Sequence, residues 1–141
     1  MRTRELRIGN FVEYQRNDIL TELKQVKGVD WGGDSIFIEY YSQDGSQYPI
    51  NKKHFKPIPL TEEWLVKFGF KIDEYKGFDR GSHNVVYSIG SFNIAIEDDN
   101  FYLWFEVDED NWYNVKSVKV DFVHQLQNLY FALTQEELKI K

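Results

Sequence analysis

Val85-Val86-Tyr87-Ser88-Ile89-Gly90-Ser91-Phe92-Asn93-Ile94-Ala95-Ile96-Glu97-Asp98-Asp99-Asn100-Phe101-Tyr102-Leu103-Trp104-Phe105 decides the fold. Val85, Tyr87 and Ile89 fall on one face of an extended chain. So do Phe92, Ile94 and Ile96, and then Phe101, Leu103, Phe105 and Val107. The breaks, Gly90-Ser91 and Asp98-Asp99-Asn100, are short and made of residues that reverse a chain. Flanking candidates at 70–75 and 112–116, the latter after Asp108-Glu109-Asp110-Asn111, extend the pattern to a five-stranded antiparallel meander. The second face of that meander carries Tyr102, Trp104, Val86 and Ala95. A solvated sheet face is mostly polar, so this one is expected to be covered. Either the N-terminal part of the chain covers it or a partner does, since Trp and Tyr are favoured interface anchors. Tyr102, Trp104 and Val86 are therefore the candidate partner surface.

C-terminal to the meander, Phe122, Leu126, Leu129, Tyr130 and Leu133 recur at helical spacing. They predict an amphipathic helix over about 121–133, with Asp121 as N-cap, backing the meander. Thr134-Gln135-Glu136-Glu137 has the capping-box pattern of one more short turn. On the other side, Lys56-Pro57-Ile58-Pro59-Leu60 marks an internal boundary, because two prolines suit neither helix nor sheet interior. A short helix then starts at Thr61, a good N-cap, followed by Glu62 and Glu63 at the positive end of the helix dipole. Leu60 and Leu65 hold the hydrophobic-staple positions, Trp64, Leu65 and Phe68 the apolar stripe, and Gly69 the left-handed exit closed by Phe70.

Residues 1–56 read as four short strands: Gly9–Tyr14, Leu20–Val29, Ile36–Tyr41 and Gln47–Ile50. Trp31-Gly32-Gly33-Asp34 and Asp44-Gly45 supply turns, and Pro49 puts the fourth strand at an edge. The fold expected is α+β. A small N-terminal antiparallel β-barrel or roll (1–56) is followed by the short helix, the meander and the C-terminal helix (57–141).

Composition removes several classes of function. The chain has 141 residues, enough for one domain or two small units, and 17% of them are aromatic, far from a disordered composition. It has no Cys, which excludes disulfide scaffolds, thiolate metal sites and cysteine nucleophiles. No secretory signal follows Met1-Arg2-Thr3-Arg4-Glu5-Leu6-Arg7, and the longest clear apolar run is Phe101–Phe105, against the ~20 residues of a membrane helix. A cytoplasmic protein without membrane attachment is expected. Residues 1–60 hold nine basic and eight acidic side chains, net +1; the remainder hold eight and fifteen, net −7, giving −6 in all. The acidic second part would repel a phosphate backbone.

Motifs for chemistry are sparse. No phosphate loop, GxGxxG or GxSxG occurs, and Gly77-Phe78-Asp79-Arg80-Gly81-Ser82 reads as a hairpin loop. Of the three histidines, His54, His83 and His124, the last falls on the predicted helix as a partly buried residue. Seven acidic residues lie between Glu97 and Asp110. The meander sends them to opposite ends of one strand, so they cannot pool ligands for calcium, and solubilising turns explain them. No metal and no cofactor is expected. A nucleic-acid surface would draw on Lys52, Lys53, Lys56 and Trp31, near Arg2, Arg4, Arg7, Arg16, Tyr14, Tyr40 and Tyr41. An enzyme site would draw on His83, Asp79 and Asp98 at one sheet end.

Three segments together carry a resemblance: Glu5-Leu6-Arg7-Ile8-Gly9-Asn10-Phe11-Val12, Pro57 through Phe70, and Val123-His124-Gln125-Leu126-Gln127-Asn128-Leu129-Tyr130-Phe131-Ala132-Leu133-Thr134. The chain resembles small uncharacterised proteins of Bacteroides and related bacteria, often found in prophages and other mobile elements. The resemblance spans both ends and the middle and says little about residues 71–120. In the family, Gly usually follows the last Thr; here it is Gln135. The resemblance implies a cytoplasmic bacterial setting and an accessory role, and the family, which has no assigned reaction, brings no catalytic residues to carry over. Gln125 and Asn128, polar on an otherwise apolar helix, are expected to order a polar network. The function expected is a non-enzymatic accessory protein acting through protein–protein interaction, with a nucleic-acid-associated module as the alternative.

Overall fold

The computed structural model describes residues 5–15, 21–29, 35–39, 47–73, 85–108 and 111–141. It describes their side chains except at 36, 38, 39, 47–50, 52, 105–108 and 111–117. The chain is α+β, with two antiparallel sheets and a C-terminal helix. It divides into two compact units that are not consecutive in sequence. The first is Met1–Pro59 with Phe122–Glu137, and the second is Leu60–Asp121 with Leu138–Lys141.

In the first unit the strands are β1 (Phe11–Gln15), β2 (Thr21–Val29), β3 (Ser35–Glu39), β4 (Gln47–Asn51) and β5 (Phe55–Lys56), ordered β4-β3-β2-β1-β5. A 3-10 turn, Lys52–His54, joins β4 to β5. Pro49 indeed lies on an edge strand, where its missing N–H costs no ladder bond. Among the described residues no pairing joins β4 to β5. Leu6, Val12, Val26 and Phe55 form its core, with Tyr14 packed against it. The Tyr14 and Phe55 rings lie 5.4 Å apart.

In the second unit α1 (Glu62–Lys67) starts at the expected N-cap: Thr61 Oγ1 accepts from Trp64 N–H at 3.4 Å. Leu60 and Leu65, the staple pair, are both buried. The exit is a Schellman motif. Gly69 N–H donates to Val66 C=O and Phe70 N–H to Leu65 C=O, with Gly69 at φ +91°. The strands β6 (Lys71–Ile72), β7 (Val85–Ile89), β8 (Phe92–Glu97), β9 (Asn100–Asp108) and β10 (Asn111–Lys119) pair in that order as a meander. Asp98 and Asp99, both at positive φ, form a two-residue hairpin loop between the paired Glu97 and Asn100.

The helix α2 (Val123–Thr134) corrects two expectations. Its N-cap is Phe122 rather than Asp121, and Phe122 N–H is held by Gln125 Oε1 at 3.2 Å. It also belongs to the unit of the first sheet, not to the meander it was expected to back. On the first meander face, Tyr87, Phe92, Ile94 and Leu103 are buried. Contacts to that face come from α1 and its exit: Phe70 meets Phe92 edge-on at 6.0 Å, and Tyr87 O–H donates to Glu62 at 3.5 Å. Burial and the Glu62 carboxylate both push the Tyr87 phenol up. No helical turn follows α2. Thr134 Oγ1 instead donates to Tyr130 C=O and accepts from Glu136 N–H, and Gln135 takes the left-handed position at φ 62°.

Candidate functional site

A polar joint links residues 5–11 to α2, all within the first unit. It starts with a turn. Asn10 N–H donates to Arg7 C=O, and Gly9 sits at φ +97°. Only glycine adopts that conformation cheaply, which explains Gly9. The strand therefore begins at Phe11, not at Gly9 as the sequence pattern predicts. Asn10, fully buried, closes the turn on itself: its Oδ1 accepts from Arg7 N–H at 2.7 Å.

Two helix residues complete the joint. Asn128 Oδ1 accepts from Asn10 Nδ2 at 3.0 Å and from Arg7 Nη1 at 3.4 Å, while its Nδ2 donates to Glu5 C=O at 2.6 Å. Gln127, 1% exposed, accepts from Phe11 N–H at 2.9 Å and donates to Gly9 C=O at 3.0 Å. Its side-chain amide thus pairs with backbone 9–11 as a neighbouring strand would. Gly9 C=O accepts a second bond from Gln25 Nε2 at 3.0 Å. Buried amides cost free energy unless both ends are paired, and here both ends are. Outside, Arg7 pairs with Glu137, and its guanidinium lies 3.9 Å from the Phe131 ring centroid.

His124 is the odd member. It is 1% exposed and stacked on Phe122 at 5.9 Å, and neither ring nitrogen has a hydrogen-bond partner among the described residues. Nε2 lies 3.6 Å from Glu5 Oε2, beyond hydrogen-bond reach. Burial lowers the imidazole below the usual histidine range, and the Glu5 carboxylate pulls the other way.

On the second meander face Val86, Ala95 and Trp104 make one buried cluster, with Val86 at 1% and Trp104 at 6% exposure. Tyr102 is half-buried. A partner cannot reach Trp104 or Val86, so that face is corrected from candidate interface to interior. Lys53, His54 and Lys56 are exposed; the side chain of Lys52 and all of Trp31 lie outside the described residues. So do Arg2, Arg4, Arg16, Tyr40, Tyr41, the Asp44-Gly45 turn, the 77–82 loop, Asp79 and His83. Asp98 is an exposed hairpin residue. Among the described residues no three His, Asp or Glu side chains converge to hold a metal ion, and no helix is long and apolar enough to cross a membrane.

The Gln127 bridge was not anticipated. Its one signal is a run of amides, Gln125, Gln127 and Asn128, on a helix otherwise apolar. Asn10 carried none beyond its place after Gly9. No family model matches the chain, and no curated protein or solved structure matches it either.

Proposed function

We propose that this is a non-enzymatic accessory protein of a phage or mobile element, cytoplasmic in setting, that works by binding another protein. One observation carries the proposal. The polar side chains joining residues 5–11 to α2 bond one another, while Ile8 and Leu133 on those segments are 63% and 51% exposed. Amides engaged with one another serve the fold, whereas exposed large apolar side chains favour a protein partner. The surface of interest therefore moves from the second meander face to Ile8 and Leu133.

The test is a pull-down from host lysate with wild type beside Ile8→Glu/Leu133→Glu, both checked for folding. Recovery of a partner by wild type alone supports the proposal. Equal recovery by the charge variant removes this surface.

A nucleic-acid-associated module is the second reading, favoured by the exposed Lys53 and Lys56 beside the 3-10 turn. It includes a curled barrel-like sheet. A flat five-stranded sheet separates its edges by about 19 Å. Yet Asn51 and Phe55, at the edges, are joined by Lys52–His54, which limits their span to about 14 Å. Curling into a roll meets that limit. Binding to single-stranded probes that weakens with salt and with Lys53→Ala/Lys56→Ala is the expected result. Salt-independent absence of binding refutes it.

A further inference from the structure

Burial of the His124 ring, 1% exposed, favours the neutral imidazole over the charged form. The residue is in the first turn of α2, two positions after the N-cap Phe122. Unpaired helix N–H groups make that end positive, which disfavours a second positive charge. That turn contains no acidic residue, and from Val123 to Thr134 there is no Asp, Glu, Lys or Arg, Tyr130 being the one titratable side chain besides His124. Facing it from the 5–10 arm is Glu5, whose side chain is 47% exposed. Arg7 on the same arm is engaged with Glu137 and Phe131. The charged residue of β1, Glu13, stands opposite Lys56 in the β1–β5 register.

Protonation would give the ring two N–H donors in place of one. Nε2–H has Glu5 within reach of a small shift, but that carboxylate is half in water, and such pairs are weak. Nδ1–H has no acceptor among the described residues. Leaving a buried donor unpaired outweighs a screened ion pair. Glu5 is itself tied to α2 through its carbonyl on Asn128. The strain therefore falls on the joint itself.

We propose that His124 makes the joint between the 5–10 arm and α2 acid-labile, so that mild acidification releases the arm while the meander stays folded. A histidine favoured as neutral in the folded state contributes no penalty above its unfolded pKa of about 6.5. Stability is lost as pH falls from there toward the folded pKa, and no further below it.

Amide exchange of Phe11, which donates to Gln127, reads the joint directly. After correction for intrinsic rates, its protection should fall by up to about tenfold per pH unit below pH 6.5. Amides of β8 should hold constant, and His124→Gln should abolish the pH effect on Phe11. Equal loss in His124→Gln refutes the proposal. If that variant does not fold, the wild-type ring is titrated by NMR. A midpoint below the usual histidine value, lowered further by Glu5→Gln, supports the device, and a midpoint at or above that value overturns it.

Discussion

Replacing Gln127 by Met tests the joint at its centre. The Gln127 amide is buried and holds two backbone groups of the facing strand, Phe11 N–H and Gly9 C=O. The two losses are unequal. Gly9 C=O keeps its bond from Gln25, so the acceptor side is cheap. Phe11 N–H, on part-buried backbone, loses its bond to Gln127, and removing one partner of such a bond costs about 1–3 kcal/mol. Met keeps the length and most of the volume, so the cavity contribution is small. The expected loss is about 2 kcal/mol. In urea, at a slope of about 2 kcal/mol per molar, the midpoint should drop by about 1 M with the slope unchanged. Gln127→Ala should lose about 2 kcal/mol more, because it also opens a cavity. Two results would refute the reasoning: Gln127→Met within about 0.5 kcal/mol of wild type, or Gln127→Ala no worse than Gln127→Met.

Four further outcomes follow from the same geometry. A double-mutant cycle on Asn10→Ala and Asn128→Ala should give a coupling of about 1 kcal/mol by urea unfolding, since the two amides bond directly. Gln135→Gly should raise stability by about 1 kcal/mol in thermal melts, because Gln135 closes α2 in the left-handed region where glycine has no penalty. Asp98→Asn with Asp99→Gly should stabilise by about 0.5–1 kcal/mol, since both loop residues have positive φ and like charge. Gly69→Ala should cost about 1–2 kcal/mol; a Cβ there would meet the Lys141 side chain at 2.9 Å, but that chain can swing aside, so the φ of +91° sets the cost.

Local signals were readable from the sequence where one element explains itself. The capped helix from Thr61 to Gly69 is wholly local, and its N-cap, staple and glycine exit all stand where the residue types require. The meander was readable because alternation and turn chemistry agree on adjacent strands. Pairing over long sequence separation was not. An amphipathic helix says that it buries a face, not which sheet it buries it on. The clue that α2 joins the first unit lay in its amides, which match backbone groups near Gly9 more than 110 residues away. The second meander face was ambiguous for a related reason. Apolar residues there required cover, and nothing in the residues themselves distinguished interior from interface until Trp104 and Val86 proved buried.

That outcome changes where function must be sought. Gly9, Asn10, Gln127 and Asn128 each have a sufficient structural reason: a positive φ, a closed turn, a borrowed strand edge, a shared carbonyl. Thr61, Leu60, Leu65 and Gly69 have theirs in the short helix. Residues so explained are poor evidence for a binding partner, because folding alone requires them. Ile8 and Leu133 are different. Ile8 lies between a latched arginine and an obligatory glycine, with 63% of its surface in water, where a polar residue would serve the fold equally well. Leu133 lies in the last turn of α2 at 51% exposure, where Lys would serve the helix as well and would also suit the negative end of its dipole. Substituting Glu at both should therefore leave the free energy of unfolding within about 1 kcal/mol of wild type, the unfavourable carboxylate at the end of α2 included. If the double variant instead unfolds readily, the two side chains are structural, and the surface proposed for a partner is lost without any binding assay.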